Sequence, residues 1–258
     1  MKVVLFAGGL GTRISEETEV RPKPMVEIGG KPILWHIMKM YSHYGFNEFI
    51  ICLGYKGYVI KEYFMNYFLH NSDIRIDLGN NNMEVLGTRS DAFKVTLVET
   101  GLNTKTAGRL QQVIKYIGNE DFMLTYGDGV ADVNIKELVE FHKKNNKIAT
   151  VTSVQPDARF GGMDIAANGV VKSFREKSKT DAQWINGGFF VLKPEVFNYL
   201  KNDMSGVMWE EGPLEKLSSD NQMVAYKHRG FWKCMDALRD KIELNDLWES
   251  NNAPWKTW

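Results

Sequence analysis

The chain has 258 residues, of which 43% are hydrophobic and 25% charged, and its 32 basic residues balance its 32 acidic ones. This composition is typical of a soluble globular protein with a sizeable core. A formal net charge of zero excludes a global basic field for nucleic acid or an anionic membrane, so any anion must be bound locally.

The cysteine content and the apolar segments indicate the compartment. Cys52 and Cys234 lie far apart, which excludes a disulfide framework and favours a reducing environment. Cys52 lies in the apolar run FIICLG and is expected to be a buried, inert thiol. No apolar stretch is long enough to cross a bilayer, and the N-terminal apolar run is too short for a signal peptide. We therefore expect a cytoplasmic protein with neither a membrane nor a nucleic-acid partner.

The first half of the chain alternates strand-like and helix-like segments. Strands are predicted at VVLFA, EFIICLG, KVTLVET and FMLTYGD, and helices at KPILWHIMKMYSHYG, YVIKEYFMNYF, AGRLQQVIKYI and IKELVEFHKKNN. This βαβα order predicts a mostly parallel sheet with helices on both faces, because parallel strands need crossover connections. The polar, turn-rich segment 71–91 is expected to leave the domain as a hairpin lid or a contact arm.

The second half has shorter elements. Strands are predicted at IATVTSV, VVKSFREK, GGFFVL and MVAYKHRG, a short helix at GPLEKLSS and a final amphipathic helix at ALRDKIELNDLWES. No linker or repeat separates the two halves, so we expect one continuous domain.

Two groups of aromatic residues call for an interpretation. Tyr63, Phe64, Tyr67 and Phe68 recur at helical spacing, which favours a core or subunit interface over a base-stacking platform. The final APWKTW carries two tryptophans, which either pin the terminus down or pack at an interface.

The first predicted strand runs into a glycine-rich loop in LFAGGLGTR. Such a loop lets backbone N–H groups approach a phosphate closely, so a nucleotide is expected here. The string matches neither the dinucleotide fingerprint nor the phosphate loop that ends in Gly-Lys-Ser/Thr. Arg13 follows the glycines, and Lys23 lies between two prolines that would aim its ammonium at a polyphosphate. The alternative for Lys23 is a solvated surface lysine.

Two aspartates fall at or near predicted strand ends, where open α/β sheets bind ligands. Asp128 lies between glycines in YGDGV and suits a magnesium–phosphate site, although a turn aspartate is the alternative. Asp236 opens the last helix, where an N-cap is the alternative. Together with the loop, these residues predict a triphosphate cradle with two cations and two carboxylates. The five histidines show no zinc-ligand spacing, and no nucleophile elbow occurs.

The strings LFAGGLGTR and RPKPMVEIGGKPILWHI resemble the sugar-phosphate nucleotidyltransferase family, whose signature is a G-G-x-G-T-R loop followed by a lysine-proline pair. The resemblance covers essentially the whole chain, and ICLGYKGYVIKEYF, LTYGDGVAD, INGGFFVL and APWKTW narrow it to the cytidylyl-transferring members. It implies a Rossmann-like three-layer α/β/α fold with a mixed, mostly parallel sheet and a small β-rich acceptor-binding part. It also implies that residues 1–130 bind mainly the nucleotide and residues 131–258 mainly the acceptor.

The resemblance implies a reaction as well. Such enzymes transfer a nucleotidyl group from a nucleoside triphosphate to a sugar 1-phosphate and release pyrophosphate. For this chain the implied substrates are CTP and α-D-glucose 1-phosphate, the cofactor Mg²⁺, the product CDP-glucose and the assembly a homo-oligomer. Another phosphorylated acceptor in surface-polysaccharide biosynthesis is the nearer alternative. A uridylyl- or thymidylyltransferase and a catalytically silent nucleotide-binding homologue are the remoter ones.

The family pattern assigns roles to single residues. It implies that Lys23 stabilises charge at the α-phosphorus, that Asp128 and Asp236 hold Mg²⁺, and that the family reads the base at the positions of Gly108 and Arg109. The implied catalytic set is Arg13, Lys23, Asp128 and Asp236. The implied nucleotide-binding set is Ala7, Gly8, Gly9, Leu10, Gly11, Thr12, Arg13, Lys23, Gly108, Arg109 and Asp128. The implied acceptor-binding set is Tyr126, Gly127, Glu176, Lys177, Asn186 and Gly187.

Three departures from the family pattern fall in the acceptor half. Ser178 in EKSK stands where the family has proline, and Gly162 in RFGGMDI stands where alanine is expected. SGVMWEEGPL differs around the family's W-E-x-x-P-L segment. These departures leave a different phosphorylated acceptor open.

Overall fold

The computed structural model describes residues 1–156, 162–166, 169–175 and 183–258. Eight of the described strands form one mixed sheet, and helices pack on both of its faces around two hydrophobic clusters. The predicted α/β fold with helical layers on both sides of a mixed sheet is confirmed.

The strands, numbered in chain order, are β1 (Val3–Phe6), β2 (Glu27–Ile28), β3 (Lys31–Pro32), β4 (Glu48–Leu53), β5 (Ser72–Asp77), β6 (Asn82–Thr88), β7 (Lys94–Glu99), β8 (Phe122–Tyr126), β9 (Gly129–Ala131), β10 (Ala149–Val154), β11 (Gly162–Ile165), β12 (Val171–Arg175), β13 (Ile185–Asn186), β14 (Phe190–Leu192), β15 (Met223–Lys227) and β16 (Trp232–Cys234). The α-helices are α1 (Ser15–Thr18), α2 (Ile33–His43), α3 (Gly57–His70), α4 (Thr106–Ile117), α5 (Ile135–Asn145), α6 (Glu215–Ser219) and α7 (Leu238–Glu249). Tighter or wider helical turns cover Thr12–Ile14, Lys23–Met25, Pro194–Tyr199 and Glu210–Leu214.

The large sheet has the order β13-β10-β14-β8-β1-β4-β7, with β15 beside β10. The four strands β8, β1, β4 and β7 are parallel, as the alternation of strands and helices in the first half predicts. The antiparallel pairs belong to the second half, where β14 runs against both β8 and β10. Parallel neighbours bring the carboxyl ends of β8, β1, β4 and β7 to one edge of the sheet.

Strand β1 lies inside the sheet and is buried on both faces. Val3 and Leu5 pack into the cluster that includes α2, α3, α5 and α7, and Val4 and Phe6 into the cluster that includes α4 and α6. Successive side chains of a strand point to opposite faces, so an unbroken apolar run is what a strand covered on both sides requires. The loop that follows β1 is therefore anchored at its start by a rigid, fully buried strand.

The segment 71–91 forms the hairpin of β5 and β6, in which Ser72 pairs with Thr88 and Asp77 with Asn82. Nearly all of its side chains are exposed, including those of Ile74, Ile76 and Leu78. The prediction of a hairpin excursion is confirmed, and its use as a lid or as a contact arm stays a prediction.

The aromatic stripe on α3 is only partly in the core. Tyr67 is buried and Tyr63 and Phe64 pack against the core. Phe68 is 47% exposed, so the core alternative is wrong for this residue and the subunit-interface alternative stays a prediction. Phe68 lies on the outward side of the helix because neighbouring residues of a helix point about 100° apart.

The C-terminal tail packs against the domain, so of the two alternatives for its tryptophans the first, a terminus held down on the domain, applies to Trp255. Trp255 is fully buried, stacks on Phe231 at 5.6 Å and donates its indole N–H to His36 Nδ1 at 3.3 Å. His36 Nε2 lies 2.8 Å from the Ile28 carbonyl oxygen, so the neutral ring satisfies both contacts. Burial lowers the pKa of His36 to about 4.

Among the described helices, none is both long and apolar enough for a bilayer crossing.

Candidate active site

Strands β1 and β8 deliver the glycine loop and Asp128 to the same edge of the sheet. Phe6 is the register partner of Tyr126, and the Gly127 N–H donates to the Phe6 carbonyl oxygen at 3.0 Å. The loop after Phe6 and the turn that carries Asp128 consequently lie side by side, as the strand-end rule for open sheets predicts.

The glycine loop presents unpaired backbone donors. Within the described part of the chain, the N–H groups of Gly8, Gly9, Leu10 and Gly11 have no hydrogen-bond acceptor. These residues line a cavity of about 620 Å³. A run of consecutive free N–H groups is an anion-binding arrangement, because each group needs an acceptor that solvent or a ligand must supply.

Lys23 lies at one side of this cavity and joins two carboxylates. Its ammonium lies 2.7 Å from Asp128 Oδ2 and 2.6 Å from Asp236 Oδ1, and its side chain is only 11% exposed. Arg13 reaches the same cluster, with Nη1 at 2.8 Å from Asp236 Oδ2. The alternative of a solvated Lys23 is wrong, because the flanking prolines and a short helical turn keep the side chain inside the site.

Asp236 reaches this cluster through the pairing of β16 with β9. Cys234 is opposite Gly129, and the Met235 N–H donates to the Asp128 carbonyl oxygen at 2.9 Å. The N-cap alternative for Asp236 is wrong, since α7 begins at Leu238 with Ala237 at its N-cap, and Asp236 lies one residue before it. The backbone N–H of Asp236 itself donates to Asp240 Oδ2 at 3.0 Å. The Asp236 carboxylate is thereby free to accept from Lys23 and Arg13.

Burial and charge act in opposite directions on this cluster. Burial by itself would lower the pKa of Lys23, but the Asp128 and Asp236 carboxylates outweigh it and the pKa is raised. Burial would raise the pKa of Asp236, but the Lys23 hydrogen bond and the Arg13 charge hold it below its usual range. Both groups therefore stay charged at neutral pH and remain paired with each other.

The same carboxylates are suitable ligands for a divalent cation. One oxygen of Asp128, one oxygen of Asp236 and the Cys234 sulfur all lie within 4.8 Å of one another. Two carboxylates combined with substrate phosphates form the type of ligand set that Mg²⁺ takes in phosphoryl-transfer sites. The donor chemistry thus fits Mg²⁺ at the two aspartates.

A second, smaller cavity of about 210 Å³ adjoins the first. Tyr126 stands between the two: its hydroxyl donates to Glu210 on the side of the larger cavity and accepts from Asn186 Nδ2 at 3.0 Å on the side of the smaller one. The Trp232 indole N–H donates to the Gly187 carbonyl oxygen at 2.9 Å and fixes the strand edge there. The smaller cavity has about a third of the volume of the larger one, 210 Å³ against 620 Å³.

Residues 2–251 match the family model described as nucleotidyl transferase. The chain belongs to the nucleotidyl transferase family. The match spans the glycine loop, Lys23 and both aspartates, so the geometry described above lies entirely within it.

Two curated nucleotidyl transferases are similar to this chain over their full lengths. The glucose-1-phosphate cytidylyltransferase of Salmonella typhimurium is 57% identical over 259 residues, with 100% of each chain covered. The probable glucose-1-phosphate cytidylyltransferase of Bacillus subtilis is 45% identical, again over 100% of each chain.

Solved nucleotidyl transferase structures share the fold at lower sequence identity. A putative glucose-1-phosphate thymidylyltransferase from Bacillus anthracis in complex with a sucrose superposes with a TM-score of 0.70 at 20% identity, covering 96% of this chain and 94% of that one. A UDP-glucose pyrophosphorylase complexed with UDP-glucose gives a TM-score of 0.68 at 17% identity, with 97% and 98% covered. These likenesses support the fold.

Most of the predicted site residues lie together in this nucleotidyl transferase. Of the predicted nucleotide-binding set, all except Gly108 line the larger cavity. Gly108 is buried in α4, where an added Cβ would lie 2.7 Å from the Met204 carbonyl oxygen. Gly127 lines the larger cavity, whereas Asn186 and Gly187 line the smaller one. The ligand roles of all these residues stay predictions.

Some predicted positions lie outside the described residues. These positions are Glu176, Lys177 and Ser178. Gly162, by contrast, lies within the described residues, as the first residue of β11. The acceptor contacts predicted for Glu176 and Lys177 therefore stay predictions.

Sequence reasoning missed part of the larger cavity. Its far wall consists of residues 102–106, which follow β7, together with Met208 and Glu210. The strand-end rule that located Asp128 would also have located residues 102–106, because β7 lies parallel to β4 in the same sheet. Glu210 carried no such signal, since it reaches the cavity from a distant turn that packs against the start of α4.

Proposed function

We propose that this protein transfers the cytidylyl group of CTP to α-D-glucose 1-phosphate, forming CDP-glucose and releasing pyrophosphate. The observation that carries the proposal is the junction of the two cavities, because Arg13, Tyr126 and Asp128 line both. A donor nucleotide in the larger cavity and an acceptor phosphate in the smaller one would meet there. The identity of donor and acceptor rests on the full-length relatives at 57% and 45% identity.

The glycine loop binds the triphosphate in this proposal. Four consecutive N–H groups, from Gly8 to Gly11, have no acceptor in the described part of the protein and would donate to phosphate oxygens. The loop is anchored at its start by the fully buried strand β1, which helps to position the donors before the nucleotide arrives and limits the reorganisation that they need during the reaction.

Lys23 and Arg13 act on the charge that the reaction brings together. Both are paired with aspartates in the free protein, at 2.6–2.8 Å, and both line the larger cavity. An arriving triphosphate offers them new anionic partners next to the old ones. In that position Lys23 stabilises the charge that develops on the oxygens of the α-phosphorus, and Arg13 orients the acceptor phosphate at the junction.

The acceptor needs no general base. An oxygen of the sugar phosphate already carries negative charge, so the difficulty is the approach of one anion to another. Positioning in line with the leaving pyrophosphate, together with cationic side chains, addresses that difficulty. The tyrosine at the junction fits this account, because burial and Glu210 raise the pKa of Tyr126 and keep its hydroxyl protonated as a donor.

Asp128 and Asp236 would hold Mg²⁺, as their oxygen-rich cluster allows. When bound, Mg²⁺ would neutralise phosphate charge and favour departure of pyrophosphate. In the free protein the two aspartates are paired with the cationic side chains of Lys23 and Arg13. With the metal bound, Mg²⁺ would be their cationic partner.

We also propose that the protein works in the cytoplasm as a homo-oligomer. Sedimentation velocity of the purified chain would test the oligomeric state.

The first experiment is ³¹P NMR of the protein with Mg²⁺, CTP and α-D-glucose 1-phosphate. UTP, dTTP, ATP and GTP are run in parallel tubes. The expected result is a new pair of diphosphate-ester signals and pyrophosphate with CTP only. The Asp128→Asn variant is the negative control, because it keeps the volume of the side chain and removes its charge.

Each other result points to a specific change in the proposal. Consumption of UTP or dTTP in place of CTP would contradict the donor. Binding of CTP without product would contradict the acceptor and move the search to other phosphorylated compounds. Binding of CTP without turnover of any acceptor in the presence of Mg²⁺ would indicate a silent homologue.

A further inference from the structure

Helix α7 begins two residues after Asp236, and its first turn fixes the backbone of that aspartate. The Asp240 carboxylate, which is 4% exposed, accepts from the backbone N–H of Asp236 at 3.0 Å and from that of Ala237 at 2.8 Å. Lys233 Nζ lies 3.4 Å from its other oxygen. Because backbone donors and a cation hold this buried carboxylate from two sides, its orientation is set. The position of Asp236 in the site therefore depends on the first turn of α7.

One face of the same helix contacts the segment that carries Lys23. Lys241 and Asn245 lie four positions apart, which places them on the same side of a helix. Lys241 Nζ pairs with the Glu17 carboxylate, and Asn245 Oδ1 accepts from the backbone N–H of Gly29 at 2.9 Å. Glu17 precedes Lys23 in the chain and Gly29 follows it. Helix α7 thus holds the Lys23 segment, residues 17–29, at both of its ends.

A close steric contact reinforces the hold at Gly29. Trp248 lies three positions after Asn245, on the same face of α7. A Cβ added to Gly29 would lie 2.0 Å from Trp248 Cδ1 and from Nε1, so the backbone of the β2–β3 turn packs directly on the indole ring. Asn245 is itself held, because its Nδ2 donates to the Lys241 carbonyl oxygen at 2.9 Å. The end of the Lys23 segment therefore has little freedom to move relative to the helix.

These contacts lie outside the substrate site. Asp240, Lys241, Asn245 and Trp248 line neither of the two cavities described above. Any effect of these side chains on the reaction must therefore pass through the residues that they hold. The two held elements meet in the site, where Lys23 Nζ lies 2.6 Å from Asp236 Oδ1.

We propose that α7 is a positioning helix, which holds Asp236 at its start and the Lys23 segment on its face and so fixes these two groups relative to each other. Lys241 and Asn245 are its positioning residues for Lys23. The inference rests on the proposed function for the reaction that it affects. A misplacement of about 1 Å at a reacting group can lower a rate about a hundredfold, so contacts remote from the substrates can affect turnover.

The test removes the two polar contacts of the helix face one at a time. Asn245→Leu keeps the approximate volume of the side chain and removes the acceptor of the Gly29 N–H. Lys241→Met removes the ion pair with Glu17, whereas Lys241→Arg keeps it. Lys94→Met is the control, because it removes an ion pair with Glu48 at the opposite end of the parallel strands.

Three measurements are made on each variant. Steady-state assays, run well below the melting temperature of each variant, give kcat and the KM for CTP. Hydrogen–deuterium exchange with mass spectrometry follows the backbone N–H groups of residues 17–29. Thermal unfolding gives the melting temperature.

Asn245→Leu is expected to lower kcat by about tenfold to a hundredfold, and Lys241→Met by about threefold to tenfold. The KM for CTP should change less than about threefold, because the free N–H groups of the glycine loop stay in place. Residues 17–29 should exchange faster in both variants. Lys241→Arg should recover most of the lost kcat, and Lys94→Met should leave kcat, KM and the exchange of this segment unchanged.

Several results would overturn the inference. An unchanged kcat in Asn245→Leu, with or without a lower melting temperature, would make its contact structural only. A higher KM for CTP at unchanged kcat would assign the helix face to nucleotide binding. If Asn245→Leu does not fold, Lys241→Met and Lys241→Arg carry the same comparison. Unchanged exchange of residues 17–29 would overturn the inference whether or not the wild type forms CDP-glucose, whereas a wild type that forms none contradicts the proposed function.

Discussion

Replacing Lys23 by methionine tests whether its ammonium holds the two aspartates together in the free protein. The substitution keeps the length and apolar stem of the side chain and removes only the charge. It leaves Asp128 and Asp236 facing each other, with oxygens no more than 4.8 Å apart. Two unit charges at 4.8 Å repel by about 3.5 kcal/mol at an effective dielectric constant of 20.

Two features of the site reduce this value. Water reaches about a quarter of each carboxylate, which are 27% and 24% exposed, and Arg13 still pairs with Asp236. We therefore expect a loss of about 1–2 kcal/mol in the free energy of unfolding. For a chain of this size that corresponds to a fall in Tm of about 2–8 °C.

The assay is thermal unfolding without nucleotide, with and without about 10 mM Mg²⁺, where binding to the folded state raises Tm. Mg²⁺ should raise the Tm of Lys23→Met more than that of the wild type, because the ammonium no longer competes for the carboxylates. Lys94→Met is the matched control, since Lys94 is 78% exposed and its pair with Glu48 should contribute less than about 1 kcal/mol. Equal Tm values for the two variants, with no added effect of Mg²⁺, would refute the reasoning.

Three further predictions concern the reaction and the tail. Asp128→Asn should lower turnover by orders of magnitude and leave the circular dichroism spectrum unchanged; near-normal turnover would remove Asp128 from the metal site. Lys177→Ala should raise KM for the sugar phosphate and leave the Kd for CTP unchanged; a loss of CTP binding would contradict the assignment. The free energy of unfolding, measured with urea, should decrease as the pH is lowered from about 6.5 to about 4. In this range the unfolded chain binds a proton at His36, whereas the buried ring in the folded chain stays neutral. His36→Gln should flatten this dependence, and an unchanged slope would assign it to other groups.

The order of strands and helices could be predicted because local patterns decide it. The unbroken apolar run of β1 is required by burial on both faces, and the alternation in the first half requires crossovers and a parallel sheet. Lys23 and Asp128 could be found as candidates, since prolines and glycines are local signals. The same local signals were equally compatible with a surface lysine at Lys23 and with an N-cap at Asp236, so they could not show that either residue belongs to the site.

Pairing between strands that are distant in the chain brings these residues together. Asp236 lies 108 positions beyond Asp128 in the numbering, and it arrives there because Cys234 pairs with Gly129 across two short strands. Arg109 carries no local signal for its position under the glycine loop, because the oxygens to which its guanidinium donates follow or end three strands that are separate in the chain. Local patterns in the sequence were enough to predict the strands and helices and the chemical types of the site side chains. Their convergence depended on long-range pairing, which no local pattern encodes.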